Sequence, residues 1–243
     1  MRDKKKIYTV ATAHLDTVWS WDFEKTVSKY IYNTLVDNFK LLKKYKTYKF
    51  NFEGSYRYEL MQEYYPELFE QMKEYVKEGR WNVCGSAFEN GDTNIPSPEA
   101  LFRNILIGNS YFDKTFGKRS KDIFLPDCFG FGWALPSIAH HANLLGFTTQ
   151  KLAWGSAYGV PFDLGKWYGV DGNFIYANTN PHDYYFTLTK LRDWDFVRNK
   201  LKVNEKYDLD WTYIFHGIGD RGGAPKEKSV AFVEQEVAGN PNS

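Results

Sequence analysis

Short runs of β-branched and aromatic residues alternate along this chain with longer stretches in which apolar side chains recur every three or four positions. The first pattern suits strands and the second amphipathic helices. Seven strands are predicted, at Ile7–Ala13, Tyr48–Glu53, Trp81–Cys84, Ile123–Leu125, Thr149–Ala153, Phe174–Ala177 and Tyr213–Phe215. Between the first two, Val27, Tyr30, Ile31, Leu35 and Phe39 mark a helix over Lys25–Lys46. Arg57–Glu78 carries a second helical pattern, broken by Pro66 and closed by Gly79. Ser97-Pro98-Glu99 is a helix start with a mechanism: Ser as N-cap, Pro at the first helical position, an acid in the first turn. That helix runs to about Phe116 and stops at Gly117. Ala134–Asn143 and Glu227–Val237 complete the helices, and Leu144–Phe147 leads from the former into the fifth strand.

Strand and helix in alternation imply a parallel sheet, and seven such units predict a seven-stranded parallel β/α barrel, with an open doubly wound sheet as the alternative. In a barrel of this kind the active face lies at the C-terminal ends of the strands. Chemistry-bearing residues do collect there: His14 and Asp16, Glu53, Glu89 with Asn90 and Asp92, Asp127, Lys151 with Trp154, Asn178 with His182 and Asp183, and His216 with Asp220. One domain is expected over residues 1–237, followed by a small polar tail, 238–243.

Composition narrows the function. With 31 basic and 30 acidic residues among 243, the chain carries no basic footprint for nucleic acid. It has neither a run of 18 apolar residues nor a signal-peptide core, so a soluble, cytoplasmic protein without a membrane partner is expected. Cys84 and Cys128 then read as buried thiols rather than a disulfide. Aromatic residues make up 19% of the chain, which serves both core packing and the stacking of sugar rings.

Residues i and i+2 of an extended segment point the same way, so His14 and Asp16 can hold one cation together, although a hydrogen-bonded His beside a solvated Asp has the same spelling. In Leu125-Pro126-Asp127-Cys128-Phe129-Gly130, an apolar strand ends in a Pro-Asp turn. Asp127 there reads as a metal ligand, a nucleophile, or a turn and capping residue. Asp220 lies in the glycine-rich loop Gly217-Ile-Gly-Asp-Arg-Gly-Gly223, which is a candidate acid-bearing loop or a backbone nest. His140-His141 reads as a solvated or capping pair. His182-Asp183-Tyr184-Tyr185 reads as a Pro-ordered turn or a substrate contact, and Trp154, Trp167 and Tyr168 as cleft or core.

Taken in order, His14-Leu-Asp16-Thr-Val-Trp19, Glu89 to Arg103, Pro126-Asp127-Cys-Phe-Gly130 and Gln150-Lys151-Leu-Ala-Trp154 resemble the N-terminal domain of glycoside hydrolase family 38, the α-mannosidases. The resemblance implies one Zn²⁺ held by His14, Asp16 and Asp127, with Asp127 also the nucleophile of a retaining reaction on a mannose-containing oligosaccharide. It implies Trp19 in the sugar-binding floor and Lys151 beside the nucleophile. Asp92 is a further substrate-binding candidate. The acid carboxyl is expected roughly 5 to 5.5 Å from the nucleophile, with Asp220 the first choice for it and Asp183 and Asp92 in reserve. Family members are several times longer and take a fourth zinc ligand, a His, from downstream. The expectation is therefore a fragment with weak or absent turnover. Two other classes compete: a metal-dependent polysaccharide deacetylase, whose His-x-x-x-His ligand spacing is missing here, and a non-catalytic sugar-binding fragment.

Overall fold

A computed structural model describes residues 5–154, 159–160, 162–191 and 194–239. The order is β1 (Lys6–Ala13), α1 (Phe23–Lys25) passing through a π-helical segment (Thr26–Ile31) into α2 (Tyr32–Lys44), β2 (Phe50–Glu53), α3 (Ser55–Tyr64) and α4 (Pro66–Lys77). Then come β3 (Trp81–Cys84), α5 (Pro98–Phe116), β4 (Asp122–Phe124), α6 (Leu135–His141), β5 (Gly146–Thr148), β6 (Leu164–Tyr168), β7 (Phe174–Asn178), α7 (Asp195–Glu205), β8 (Trp211–Ile218) and α8 (Glu227–Ala238).

The helix boundaries follow local chemistry. Ser97 caps α5 by accepting the Ala100 amide at 3.2 Å, and Gly117 ends it in the left-handed region at φ 63°. Pro66 divides α3 from α4 because it has no N–H to continue the first helix, yet its fixed φ suits the start of the second.

Two four-stranded sheets form, in the orders β3-β2-β1-β8 and β4-β5-β7-β6. The first is wholly parallel, with Val10 opposite Phe215 and Ala13 opposite Phe52. In the second, β6 runs antiparallel to β7. A continuous seven-stranded barrel is therefore not what the described residues form. At one seam the sheets are stitched by the Ser86 amide to the Asp122 carbonyl at 2.9 Å. At the other, the irregular segment 181–186 lies along β8 in place of a strand, taking the Phe215 amide on the Pro181 carbonyl and the Gly217 amide on the Phe186 carbonyl. Pro181 has no N–H, and His182 has φ 70°, so this segment cannot pair as a regular strand.

One predicted strand moves and two elements were not predicted. The fifth strand is Gly146–Thr148, paired with Asp122–Phe124 and Tyr176–Asn178, whereas Lys151–Ala153 closes into a single 3₁₀ turn. The edge strand β6 and helix α7 are additional. In β6, Trp167 packs on Phe131 and Phe147, while Tyr168 stands against Phe174 at an exposed edge, so neither faces the strand-end cleft. Ala238 still belongs to α8, and residues 240–243 of the predicted tail lie outside the described residues.

Between the sheets sits an aromatic interior: Phe124 from β4, Phe215 from β8 and Tyr184 from the bridging segment, with Val10 and Tyr213 against them. Outside, α2, α3 and α4 cover the first sheet through Leu35, Phe39, Met61 and Phe69, with Phe39 against Trp81 of β3. Burying each such side chain contributes about 1.5–3 kcal/mol. Much of the high aromatic content is thus core. Trp19, Phe129, Trp133 and Trp154, by contrast, are each more than half exposed.

Candidate metal centre and acid cluster

Alternation along β1 turns Tyr8, Val10 and Thr12 toward the interior, and His14 continues that face just past the strand end. The backbone there is held on both sides. The His14 amide bonds the Ile218 carbonyl at 3.0 Å, and the Asp16 amide bonds the Asp220 carbonyl at 2.9 Å. Arg57, 1% exposed, reaches across from α3 to donate Nε to the Leu15 carbonyl at 2.8 Å, between the two side chains of interest. Its Nη1 pairs with Glu89 at 2.8 Å, and Glu89 also accepts from Thr17 at 2.6 Å. Gly54 makes room for the guanidinium: its φ is 70°, and a Cβ there would sit 2.7 Å from Nη1.

One ligand-capable atom from each of His14, Asp16 and Asp127 lies within 4.8 Å of the others. His14 Nε2 faces Asp16 Oδ1 at 3.2 Å and Asp127 Oδ2 at 4.0 Å, while Nδ1 is taken by the fully buried Glu53. Burial opposes protonation of His14, but the Glu53 and Asp16 carboxylates outweigh it and raise the imidazole pKa to about 10. Without metal, the centre holds a proton that a cation has to displace. An imidazole nitrogen and two carboxylates, with the second ring nitrogen held by a buried acid, fit a divalent metal such as zinc.

Asp127, delivered by the turn after β4, has a second set of partners. Lys151 Nζ stands 2.5 Å from its Oδ1, 3.2 Å from the centroid of the Trp154 ring and 4.8 Å from that of Phe129. The 3₁₀ turn that replaces the predicted fifth strand is what brings Lys151 inward. Tyr184, 1% exposed, places its hydroxyl 3.1 Å from Asp127 Oδ2 and 2.8 Å from Asp220 Oδ1. Burial first, then the two carboxylates, push the Tyr184 pKa far above the ordinary phenol range, so it stays a neutral hydroxyl. Tyr184 is part of the His182–Tyr185 stretch that reads as a turn or a substrate contact, without a role of its own, and Arg57 reads only as the start of a helix; the one signal for Arg57 is a polar side chain soon after the end of β2.

The other predicted residues divide. Asp92 lines the cavity of about 550 Å³ in front of the cluster, as do Thr17, Glu89, Asn90 and Phe129. Its Oδ1, however, accepts the Asn94 and Ile95 amides, as a turn residue does. Val18 lines this cavity, and its neighbour Trp19 is 72% exposed. His182 is held elsewhere, among Phe186, Trp194 and Phe196 with ring centroids 4.3 to 4.9 Å away, and Asp183 accepts the Phe186 amide through its carbonyl. His216 alternates with the interior-facing Tyr213 and Phe215, so it points into the outer helical layer, buried. His141 pairs with Asp171 on the far side of α6 at 2.7 Å. Cys84 and Cys128 are both free thiols.

Parallel strands ending in an imidazole, three carboxylates and a buried lysine define an α/β protein with an acid cluster able to hold a metal. The sequence matches the glycosyl hydrolases family 38 N-terminal domain over residues 4–240, and the chain belongs to that family. It is 31% identical over 230 residues to alpha-mannosidase G of Dictyostelium discoideum, covering 95% of this chain and 21% of that protein. It is 29% identical over 225 residues to the alpha-mannosidase of Saccharomyces cerevisiae, covering 92% and 20%. The fold is shared with an alpha-mannosidase from Enterococcus faecalis V583 at TM-score 0.73 and 20% identity, over 96% of this chain and 27% of that one. The chain thus spans about a fifth of the length of the curated relatives it matches. No helix among the described residues is long and apolar enough to cross a membrane.

Proposed function

We propose that this chain supplies the catalytic carboxylates and most of the metal site of a zinc-dependent retaining α-mannosidase acting on terminal α-mannosides. Family membership supports the reaction class, and the convergence of His14, Asp16 and Asp127 carries the reading. His14, Asp16 and Asp127 Oδ2 would hold the cation. Bound there, it supplies Lewis-acid and template chemistry toward sugar hydroxyls.

The roles of the chain's own residues follow from their contacts. Asp127 is the nucleophile, and Lys151 orients it through Oδ1. Asp220 is the general acid and base. Because both carboxyl groups touch one Tyr184 oxygen, their bonded oxygens lie within about 6 Å of each other, near the retaining rather than the inverting separation. A phenol has one proton and cannot donate to both acids at once. The Tyr184 hydroxyl donates to one carboxylate or the other and so couples them, while Asp220, as the general acid, delivers a proton to the departing glycosidic oxygen. Asp127 then attacks the anomeric carbon, and Asp220 takes a proton from water in the second half-reaction. Trp19 and Asp92 are the proposed sugar contacts, with a mannose-containing glycan as the partner; Asp92 lines the cavity, and Trp19 follows the cavity-lining Val18. Two unpaired cysteines support a reducing, cytoplasmic setting.

The test is covalent trapping. An activated fluoromannoside that glycosylates but turns over slowly is added to the zinc-loaded chain, and peptides are mapped by mass spectrometry. A mannosyl adduct on Asp127, absent in Asp127→Asn, is expected. A wild-type chain that forms no adduct, or one carried by another residue, would overturn the assignment.

A further inference from the structure

The last residue of β2 and the first turn of α3 make a layer behind the metal centre. Two contacts separate its tasks. Arg57 holds the backbone, through the Leu15 carbonyl between the two candidate ligands of β1. Glu53 holds a ring: its Oε1 meets His14 Nδ1, the nitrogen turned away from Asp16 and Asp127. Glu53 is fully buried, and its other oxygen, Oε2, has no hydrogen-bond partner among the described residues. An acid in such a place, with one oxygen left bare, is costly unless its charge serves a neighbour.

From this geometry we infer that Glu53 is a positioning residue for the metal centre. It fixes the His14 ring so that Nδ1 carries the hydrogen and Nε2 presents its lone pair to the cation, and its buried charge makes that nitrogen a better donor. The inference rests on the proposed metal site but assigns a residue outside the ligand set. Because Arg57 and the Ile218 and Asp220 carbonyls already fix the β1 backbone, loss of Glu53 frees the ring while the strand end stays in place.

The experiment uses the 243-residue chain stripped of metal. Zn²⁺ is titrated against a chromophoric chelator, and Co²⁺ is added separately so that its visible absorption reports ligand geometry. Wild type, His14→Ala, Glu53→Gln and Glu53→Asp are compared, each at a temperature where circular dichroism shows it folded. Glu53→Gln keeps shape and one acceptor but removes the charge, and is expected to weaken Zn²⁺ binding about 10- to 100-fold and to change the Co²⁺ spectrum. Glu53→Asp keeps the charge one methylene further from the ring and is expected to fall between Glu53→Gln and wild type. It also decides the matter if the Gln variant does not fold. If His14→Ala loses affinity while the Glu53 variants stay within twofold of wild type, with an unchanged Co²⁺ spectrum, the inference is wrong and the metal site stands. If wild type binds neither ion, both fail.

Discussion

Removing the Tyr184 hydroxyl isolates the link between the two acids. In Tyr184→Phe the ring keeps its packing against Phe124, Phe215 and His14, and its backbone amide keeps the Gln150 Oε1 bond at 3.1 Å. What is lost is one oxygen with two contacts, 3.1 Å to Asp127 and 2.8 Å to Asp220. Hydrogen bonds to charged groups contribute roughly 1.5–3 kcal/mol each. The two here share one proton, and Asp220 is open to water, so the acids recover part of that on their own. A net loss of about 1–2 kcal/mol remains. In a chain of this size that corresponds to a fall in melting temperature of roughly 2–8 °C. Urea unfolding of the metal-free protein, wild type against variant, measures it directly: the midpoint should drop with an unchanged slope. Equal midpoints would mean that the hydroxyl couples nothing, and the proton-sharing role given to Tyr184 would fall with it. In zinc-loaded protein the same substitution should slow adduct formation at Asp127 without abolishing it, since the nucleophile and Lys151 are untouched.

A Cβ on Gly219 would lie 2.0 Å from Tyr184 Cε2, so Gly219→Ala must push the ring off the acids; it should cost about 3 kcal/mol or more and should be partly relieved by adding Tyr184→Ala. His216 offers a pH test. Burial lowers its pKa from 6.5 to about 4, so the unfolded chain takes up the proton first as pH falls. The stability from keeping it neutral is fully present above pH 6.5 and is lost between 6.5 and 4, by about 3 kcal/mol. A His216→Gln variant should lack that slope, and an NMR titration placing His216 near 6.5 would contradict it.

Much of the architecture was readable because it rests on local causes. The cap at Ser97, the break at Pro66 and the stop at Gly117 are each set within a few residues. The apolar runs of β1, β2 and β3 had no competing pattern. The errors lie where a distant partner decides. Gly146–Thr148 is a strand because β4 and β7 flank it, and Leu164–Tyr168 becomes one only as an edge paired to β7. Whether the sheet closes depends on Pro181 and Phe186 meeting β8, more than 30 residues away in the chain.

The candidate site divides in the same way. His14, Asp16 and Asp127 were candidates by type and strand-end position, with alternation placing the first two on one face, but only the family resemblance joined all three into one metal set. Lys151 and Asp220 were legible as candidates through their motifs. That Lys151 reaches Asp127 depends on a 3₁₀ turn, and that Asp220 meets it depends on Tyr184, whose position is set by packing between two sheets. Glu53 stood in the sequence as one more acid at a strand end; only the register of β1 against β2, with Ala13 opposite Phe52, brings it behind the imidazole of His14. Residue identity sets what a side chain can do chemically, but the few ångströms that make acids, a ring and a lysine into one centre come from contacts far apart in sequence.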